Sequence, residues 1–392
     1  MAELKQQRPD AIAYRDIRVG GNRHSIPLGR VFGIALDLDY SWFLIVGLLT
    51  WLLAVSYYPA EFPGWSAAEY WLMGLVTAVL LFASVLIHEL GHSVVAKHYG
   101  LEVPRITLFI FGGVSQIATE PPNAAAEFWI AIVGPLVSFA LAAFFWEIEP
   151  LAAGWEPAFA LVQYLALLNL ILAIFNLIPG FPLDGGRVLR SILWKVTGRY
   201  RRATSIAAVT GRFFGFLLIF AGVWQIFFGN FISGLWVAFI GWFLESAAGS
   251  QLQQETLKGL LGDHKVLDAM KRDFPQVPGS MTLQELVDEH IFTHGFRAFM
   301  VDDAQGAAGM VTLARIRSVP RSEWRTTTAA QVMIPLDKLA TVRPNERLWS
   351  ALQEMGRDGV NQLPVVEGRG VVGVLSREDI VHYLQVLRAF AS

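Results

Sequence analysis

Long apolar stretches alternate with short polar ones over the first 250 residues of this chain. Six apolar segments stand out, at Trp42–Tyr57, Trp71–Ala96, Phe128–Trp146, Phe159–Ile178, Phe213–Phe228 and Phe231–Leu244. A straight membrane-spanning helix needs ~20 apolar residues, and these segments reach or approach that length. The pattern therefore predicts about six membrane-spanning helices, and it leaves open whether the last two segments form a single hairpin.

Lys and Arg residues fall on alternate sides of these segments. The connections at 58–70, 147–158 and 229–234 contain no Lys or Arg, whereas the N-terminal arm and the connections at 97–105 and 187–212 contain several. An excess of basic residues marks the cytoplasmic loops of a membrane protein. We therefore predict a multi-pass protein of the cell membrane with both termini in the cytoplasm.

Composition agrees with a membrane protein and excludes several classes of function. The chain is 54% hydrophobic and 16% charged, against ~25% charged residues in soluble proteins. A net charge of −2 gives no indication of a nucleic-acid partner. The chain has no cysteine, which excludes disulfides and thiolate metal sites. Residues 1–30 are polar and Arg-rich, which argues against a cleaved signal peptide.

The second apolar segment contains three ionisable residues in the run LIHELGH, namely His88, Glu89 and His92. Histidines four residues apart lie on one face of a helix and can hold a zinc ion, with the intervening Glu as general base. A charged residue at mid-membrane costs ~2.5–3.5 kcal/mol, so this cluster indicates function. A lone histidine would more often be a hydrogen-bonded core residue, but the pair favours metal ligation inside the membrane, near its cytoplasmic face.

Zinc in a hydrolase usually has three protein ligands, and the candidate for the third is Asp184. It lies in NLIPGFPLDGGR, residues 176–187, where Pro179 and Pro182 exclude a regular helix. Broken backbone is tolerated in a membrane where it lines a polar cavity. The alternative is that Asp184 caps a helix that starts near Arg187, a common use of Asp.

The HELGH run and the spacing Asn-x-x-Pro-x-x-x-x-Asp-Gly together resemble the site-2 proteases, which are intramembrane zinc metalloproteases. The resemblance implies that His88, His92 and Asp184 bind one Zn²⁺ per chain and that Glu89 is the catalytic base. It implies that the catalytic Asn176 orients the substrate carbonyl or stabilises the oxyanion. The alternative for Asn176 is a hydrogen bond between helices. The expected activity is cleavage of transmembrane segments of membrane proteins in the lipid bilayer, in regulated intramembrane proteolysis.

The stretch VPRITLFIFGGVSQI, residues 103–117, is rich in β-branched and aromatic residues and is too short for a span. It resembles the membrane-associated sheet of the same family. An open strand edge there could bind an extended substrate as an added strand. The predicted substrate-binding residues are Phe111, Gly112, Gly113 and Val114, and the alternative is a hairpin that only packs on the helices. Farther along, Gly134 and Ser138 are interpreted as a helix-packing face.

Residues 249–392 have ordinary soluble composition and repeat at a spacing of about 64 residues. Gly373, Ser376 and Asp379 complete a Gly-x-x-Ser/Thr-x-x-Asp motif. The first repeat has Gly309 and Thr312 but Arg315 in the Asp position. The repeats resemble a tandem pair of cystathionine-β-synthase (CBS) modules, which implies an adenine nucleotide, ATP or AMP, as regulator and a homodimer as assembly. The predicted nucleotide-binding residues are Thr312, Gly373, Ser376 and Asp379. The alternative is a pair that only dimerises.

The predicted fold class is a polytopic α-helical membrane protein with about six spans and a small interfacial β-sheet, followed by a soluble α/β CBS pair. The predicted domains are residues 1–248 and 249–392, with CBS modules at about 256–324 and 325–392. Two other functions stay open at this point. A CAAX-type protease or a di-iron hydroxylase needs further His or Glu ligands in other spans, and the sequence offers no second His cluster there. A non-proteolytic nucleotide- or ion-sensing membrane regulator needs no HELGH motif.

Overall fold

The computed structural model describes residues 25–117, 119–292, 298–303, 306–368 and 370–391. The described residues up to Glu255 form one compact unit, and those from Thr256 onward form a second. The predicted division between residues 248 and 249 falls inside a helix, Phe231–Leu261. The exact domain limits stay a prediction.

The predicted six spans are confirmed within the described part of the chain. Six helices are long and apolar enough to cross a membrane: α1 Tyr40–Glu61, α2 Ala67–His98, α3 Ala124–Ala152, α4 Glu156–Asn176, α6 Tyr200–Phe227 and α7 Phe231–Leu261. A further helix, α5 Asp184–Thr197, lies between α4 and α6. Helix α1 includes a π-helical turn at Leu53–Tyr57. Helices α6 and α7 have 28 and 31 residues, so each of the last two apolar segments belongs to a helix long enough to span the membrane by itself.

Five of the six spanning helices described start before their apolar segment, and the difference is instructive for α6 and α2. Helix α6 begins at Tyr200, whereas the apolar run begins at Phe213 because arginines interrupt the pattern before it. Helix α2 begins at Ala67, where Ser66 and Glu69 form a reciprocal capping box. Hydropathy alone locates the apolar part of each helix, and the caps and polar first turns lie outside it.

A four-stranded sheet in the same unit has the order β1 Ser25–Val31, β2 Ile34–Asp39, β3 Arg105–Phe109, β4 Gly112–Gln116. Strands β2 and β3 are parallel, and the other two pairs are antiparallel. Ile34 and Ile106 of this sheet are fully buried in one cluster with Ala96 of α2 and Ile130 of α3. The sheet therefore packs on the two helices that carry the site described below. Among the described residues, the outer edge of β4 has no strand beside it.

The second unit contains two similar halves. Its strands are β5 Gln276–Pro278, β6 Ala298–Asp303, β7 Gly306–Thr312, β8 Ile334–Pro335, β9 Gln362–Glu367 and β10 Gly370–Ser376. Its α-helices are Val266–Ala269, Leu283–Leu286, Leu313–Arg317, Ala329–Val332, Leu348–Arg357 and Arg377–Ala391. A π-helical turn spans Val287–Ile291, and 3₁₀ turns span Arg321–Glu323 and Leu336–Lys338. Strands β5 to β8 form one sheet, and β9 and β10 form another.

Each half is completed by a short segment from the other half. Val266 lies in the core of the second half, and Ala329 lies in the core of the first. A Cβ on Gly309 would lie 2.5 Å from the carbonyl oxygen of Ile334, and one on Gly373 would lie 2.8 Å from that of Lys271. Both motif glycines therefore permit the same close approach of the exchanged segment. This pseudo-symmetry confirms the internal repeat.

Candidate metal centre

Three potential ligand atoms converge between α2 and the start of α5. The Nε2 atoms of His88 and His92 are 3.1 Å apart, and each lies 3.1 Å from Oδ2 of Asp184. Both histidines are 3% exposed. Tetrahedral zinc ligands at ~2.0–2.1 Å from the ion are ~3.3 Å apart, so this donor set fits zinc. The predicted His-His-Asp group is thus brought together by the fold.

Helix α3 orients both imidazole rings through their other nitrogen. The Nδ1 of His92 donates a hydrogen bond to the carbonyl oxygen of Ile130 at 2.6 Å, and the Nδ1 of His88 is 2.8 Å from Oγ of Ser138. Because a carbonyl oxygen only accepts, His92 carries its proton on Nδ1 and its Nε2 lone pair faces the cluster. Partners of this kind fix the tautomer and ring orientation of metal-binding histidines.

Gly134 of α3 lies directly beneath the two rings. A Cβ at this position would be 2.1 Å from Nε2 of His92 and 2.6 Å from Nε2 of His88. Any side chain would therefore occupy the space between the ligand atoms. The helix-packing interpretation of Gly134 and Ser138 missed this role. Their four-residue spacing, equal to that of the two histidines they face, is the signal that could have revealed it.

Glu89 is held from the side of the sheet. Oγ of Ser115 on β4 donates a hydrogen bond to Oε2 of Glu89 at 2.6 Å, and Oγ of Ser93 donates to Oγ of Ser115 at 3.2 Å. A Cβ on Gly113 would lie 2.5 Å from Cγ of Glu89. Strand β4 therefore lies directly against the glutamate. No motif in the sequence indicates that Ser93 and Ser115 support Glu89.

Asp184 stands at the first position of α5, after a tight turn. Leu183 is the N-cap, so the alternative that Asp184 caps a helix starting near Arg187 is wrong. A Cβ on Gly185 would lie 2.3 Å from the carbonyl oxygen of Ile178, and one on Gly186 would lie 2.4 Å from the amide nitrogen of Phe181. The two glycines thus allow the chain to fold back on itself and to point Asp184 at the histidines.

Asn176 and Asn169 both lie on α4. Nδ2 of Asn176 donates a hydrogen bond to the carbonyl oxygen of Leu172 in its own helix at 3.0 Å. Asn169 is fully buried, and its Nδ2 donates to Oγ of Ser84 at 3.2 Å, one turn before His88. The described contacts of Asn176 are therefore those of a helix-terminal amide, and its catalytic role stays a prediction.

The four predicted substrate-binding residues lie at the β3–β4 turn and the start of β4. Phe111 stacks on the ring of Phe243 in α7 with centroids 4.0 Å apart. Gly112 has a φ of +127°, which favours glycine, and the side chain of Val114 is 47% exposed. These positions adjoin Glu89 through Gly113. Their contact with substrate stays a prediction.

A cavity of about 250 Å³ lies between the two halves of the second unit, lined by charged, polar and apolar side chains including Lys271, Asp273, Phe274, Gln362, Ser376 and Asp379. Nζ of Lys271 is 2.9 Å from Oδ1 of Asp379, and Oγ of Ser376 donates to Oδ2 of Asp379 at 2.5 Å. Two predicted nucleotide-binding residues, Ser376 and Asp379, therefore line one cavity.

The other two predicted nucleotide-binding residues have different surroundings. Thr312 caps the helix Leu313–Arg317 by accepting a hydrogen bond from the backbone N–H of Arg315. Gly373 permits the close approach of Met270 and Lys271. Neither is among the residues that line the cavity. Their nucleotide-binding roles stay predictions.

Comparison with known proteins identifies the family. The family model for peptidase family M50 matches residues 76–151 and 151–219, and that of the CBS domain matches residues 329–386. The zinc metalloprotease Rip3 of Mycobacterium tuberculosis is 37% identical over 371 residues, which cover 93% of this chain and 94% of that protein. The zinc metalloprotease sll0528 of Synechocystis is 36% identical over 378 residues, which cover 95% of this chain and 99% of that protein.

A solved structure of similar sequence is the site-2 protease from Methanocaldococcus jannaschii. It is 30% identical, with a TM-score of 0.41, and the match covers 58% of this chain and 95% of that one. The family assignment rests on these relatives, which the chain matches over more than nine tenths of both lengths. The chain therefore belongs to peptidase family M50, the site-2 protease family of zinc metalloproteases, with a C-terminal CBS region.

Proposed function

We propose that this protein is an intramembrane endopeptidase that cleaves transmembrane segments of other membrane proteins, with His88, His92 and Asp184 as the ligands of one Zn²⁺. The observation that carries the proposal is the convergence of two imidazole nitrogens and one carboxylate oxygen at mutual distances of 3.1 Å. The Nδ1 of each ring is engaged by α3, so the two Nε2 atoms are the nitrogens that face Asp184 and would bind a metal.

Zinc, when bound, supplies a water activated near neutral pH and a polarised scissile carbonyl. Glu89 follows a ligand histidine on the same helix and is the proposed general base. Ser115 donates to Oε2 of Glu89, which leaves Oε1 to take the proton from the attacking water and return it to the leaving amine. The amide of Asn176 orients the substrate carbonyl in this scheme. To do so it exchanges its bond to Leu172 for one to the substrate.

A helical substrate hides its peptide bonds, so it must be extended before it is cleaved. No described strand pairs with the outer edge of β4, and this edge offers backbone groups to an extended chain beside Glu89. Phe111, Gly112, Gly113 and Val114 are the proposed contacts. We expect the preferred substrates to be spans that unwind readily.

The proposed orientation has both termini in the cytoplasm, because the connections rich in Lys and Arg lie on that side. His88 lies nine residues before Lys97, which is ~13 Å along a helix. Proteolysis therefore takes place within the membrane, on its cytoplasmic side. Protease protection of epitope tags at the two ends in sealed vesicles tests this orientation.

The second unit is proposed to bind adenine nucleotide, ATP or AMP, and so to modulate cleavage, with homodimerisation through the same region. Lys271 carries the charge that suits a phosphate group, and Asp379 has a carboxylate that suits ribose hydroxyls. Arg315 in the equivalent position of the first repeat disfavours a second site of the same kind.

The test of the metal centre and base uses the full chain purified in detergent. Glu89→Gln should abolish cleavage of a membrane substrate with its zinc content unchanged, because the amide cannot accept the proton. His88→Ala, His92→Ala and Asp184→Ala should lose both activity and zinc, as measured by elemental analysis.

His98→Ala is the matched control, since His98 is exposed at the end of the same helix and should keep normal zinc and activity. Full cleavage by Glu89→Gln, or normal zinc in any of the three alanine variants, would remove that residue from the assignment.

A further inference from the structure

A buried ion pair joins the helix that orients the histidines to the helix that carries Asp184. Glu127 of α3 is fully buried, and Arg190 of α5 is 7% exposed. Nε of Arg190 donates a hydrogen bond to Oε1 of Glu127 at 2.6 Å, and its Nη2 also contacts this oxygen. Removing one partner of such a pair leaves an uncompensated charge in an apolar interior, so the two residues constrain each other strongly.

Arg190 also fixes the segments on both sides of its helix. Its guanidinium lies over the rings of Phe181 and Tyr200, 4.8 Å from each centroid. Phe181 belongs to the turn that precedes Asp184, and Tyr200 is the first residue of α6. A planar guanidinium suits this stacked position, and an ammonium group does not replace it. One side chain thus contacts the turn before α5, the helix after it and α3 beside it.

Asp184 depends on such support because its own side chain has little. Among the described residues, its hydrogen bonds are those to His88 and His92. The position of its carboxylate is therefore set by the backbone at the start of α5. Arg190 lies six residues farther along the same helix, a rise of ~9 Å. Its partner Glu127 lies three residues before Ile130, whose carbonyl orients His92.

We infer that Glu127 and Arg190 are positioning residues, which hold the start of α5 against α3 so that Asp184 reaches the two histidines. The inference rests on the proposed role of Asp184 as a metal ligand. Because α3 also contacts both imidazoles, this pair places all three ligands relative to a single helix. The alternative is an ion pair that only stabilises the fold.

The experiment measures zinc affinity of the full-length protein in detergent, by competition with a chelator of known affinity. Glu127→Gln and Arg190→Lys are conservative in size and are each expected to weaken zinc binding by ~10-fold or more, the usual effect of removing a group that supports a ligand. The same two changes are also made in an Asp184→Asn background. There they should add no further loss, since the ligand they position is already gone.

The matched control is Arg212→Met, which breaks the other ion pair described between helices of this unit, with Glu245 of α7. It should leave zinc affinity unchanged. Wild-type affinity in Glu127→Gln and Arg190→Lys would overturn the positioning role. So would an equal loss in the wild-type and Asp184→Asn backgrounds, which would indicate general loosening. If Asp184→Asn alone keeps wild-type affinity, the ligand assignment itself fails, and that result is separate from the other two.

Discussion

The space between the two imidazoles is a tight constraint at the level of single residues. Only the hydrogen atom of Gly134 fits there, because a Cβ would come within 2.6 Å of both Nε2 atoms. Real Cβ contacts of that length do not occur, and the opposing atoms belong to rings that are each fixed by a second hydrogen bond. The site therefore needs a glycine on α3 as much as it needs its ligands.

Gly134→Ala is expected to abolish zinc binding and cleavage, although alanine favours a helix over glycine by ~1 kcal/mol. The added methyl group must displace His88 or His92. Gly47→Ala is the matched control, since nothing lies within 4 Å of a Cβ at that position in α1. Elemental analysis of the two purified variants decides the matter, and zinc retained at wild-type level in Gly134→Ala would contradict the prediction.

Ser138→Ala is expected to weaken zinc binding by ~10-fold or more with little effect on folding. The hydroxyl fixes the Nδ1 side of His88, and loss of such partners typically costs 10–100-fold in metal affinity. Chelator competition measures the effect. Unchanged affinity would mean that the ring of His88 is oriented by packing alone.

The sequence was sufficient to predict the cluster of His88, Glu89 and His92 and insufficient to predict the side chains that support it. His88, Glu89 and His92 are close in sequence, so helical periodicity alone places them together. Ser115 and Ser138 reach them across 26 and 50 residues. Serine in an apolar helix or a short strand has many uses, and only the packed structure distinguishes among them.

The β3–β4 hairpin is the element on which the proposed substrate binding depends. The backbone N–H of Ala35 in β2 donates to the carbonyl oxygen of Pro104, so even-numbered residues at the start of β3 face β2 and odd-numbered ones face β4. In β4 the partners of those odd-numbered residues are Gly112, Val114 and Gln116. By the alternation of an antiparallel ladder, Gly113 and Ser115 present their N–H groups to the open edge.

Ser115→Pro is therefore expected to reduce cleavage more than Ser115→Ala does. Both changes remove the hydroxyl that holds Glu89, and the proline additionally removes the outward N–H, which an edge strand tolerates. The difference between them isolates the backbone donor. Initial rates on one membrane substrate, with zinc content as a folding check, supply the comparison. Equal rates for the two variants would show that substrate does not pair at this position.

Element boundaries followed hydropathy only where the helix is apolar throughout. The fourth apolar segment, Phe159–Ile178, runs two residues past the end of α4 at Asn176, whereas α6 begins 13 residues before its apolar run. The first part of α6 carries Arg201, Arg202 and Arg212, so the hydropathy pattern does not include these turns in an apolar segment. Amphipathic helix ends next to a membrane are the elements that this kind of pattern misses.

The whole molecule combines two units that the sequence predicted for different reasons. Hydropathy indicated the membrane unit, and internal repetition indicated the second. The repeat does not reveal that each half is completed by a segment of the other, because this exchange depends on contacts between residues far apart in the sequence, such as Lys271 with Val374 and Thr282 with Thr328. Family membership favours an enzyme over a membrane sensor without catalysis.

The final prediction is that adenine nucleotide binds the cavity beside Asp379 and changes the cleavage rate. A ligand can alter activity only through different affinities for two states of the protein, and such coupling typically amounts to 5–150-fold in affinity. The charged rim supplies the recognition. Lys271→Ala should weaken the binding of ATP more than that of AMP, because the phosphate groups of the nucleotide lose a cationic partner. Asp379→Ala should weaken the binding of both nucleotides.

Calorimetric titration of the full chain in detergent with ATP, ADP and AMP tests binding, and cleavage assays at saturating nucleotide test the coupling. Lys338→Ala is the matched control, because Lys338 is an exposed lysine of the same unit that is not among the residues lining the cavity. Absence of binding at millimolar nucleotide would leave the second unit as an assembly module. Binding that leaves the cleavage rate unchanged would contradict regulation, since a nucleotide with equal affinity for both states does not shift the equilibrium between them.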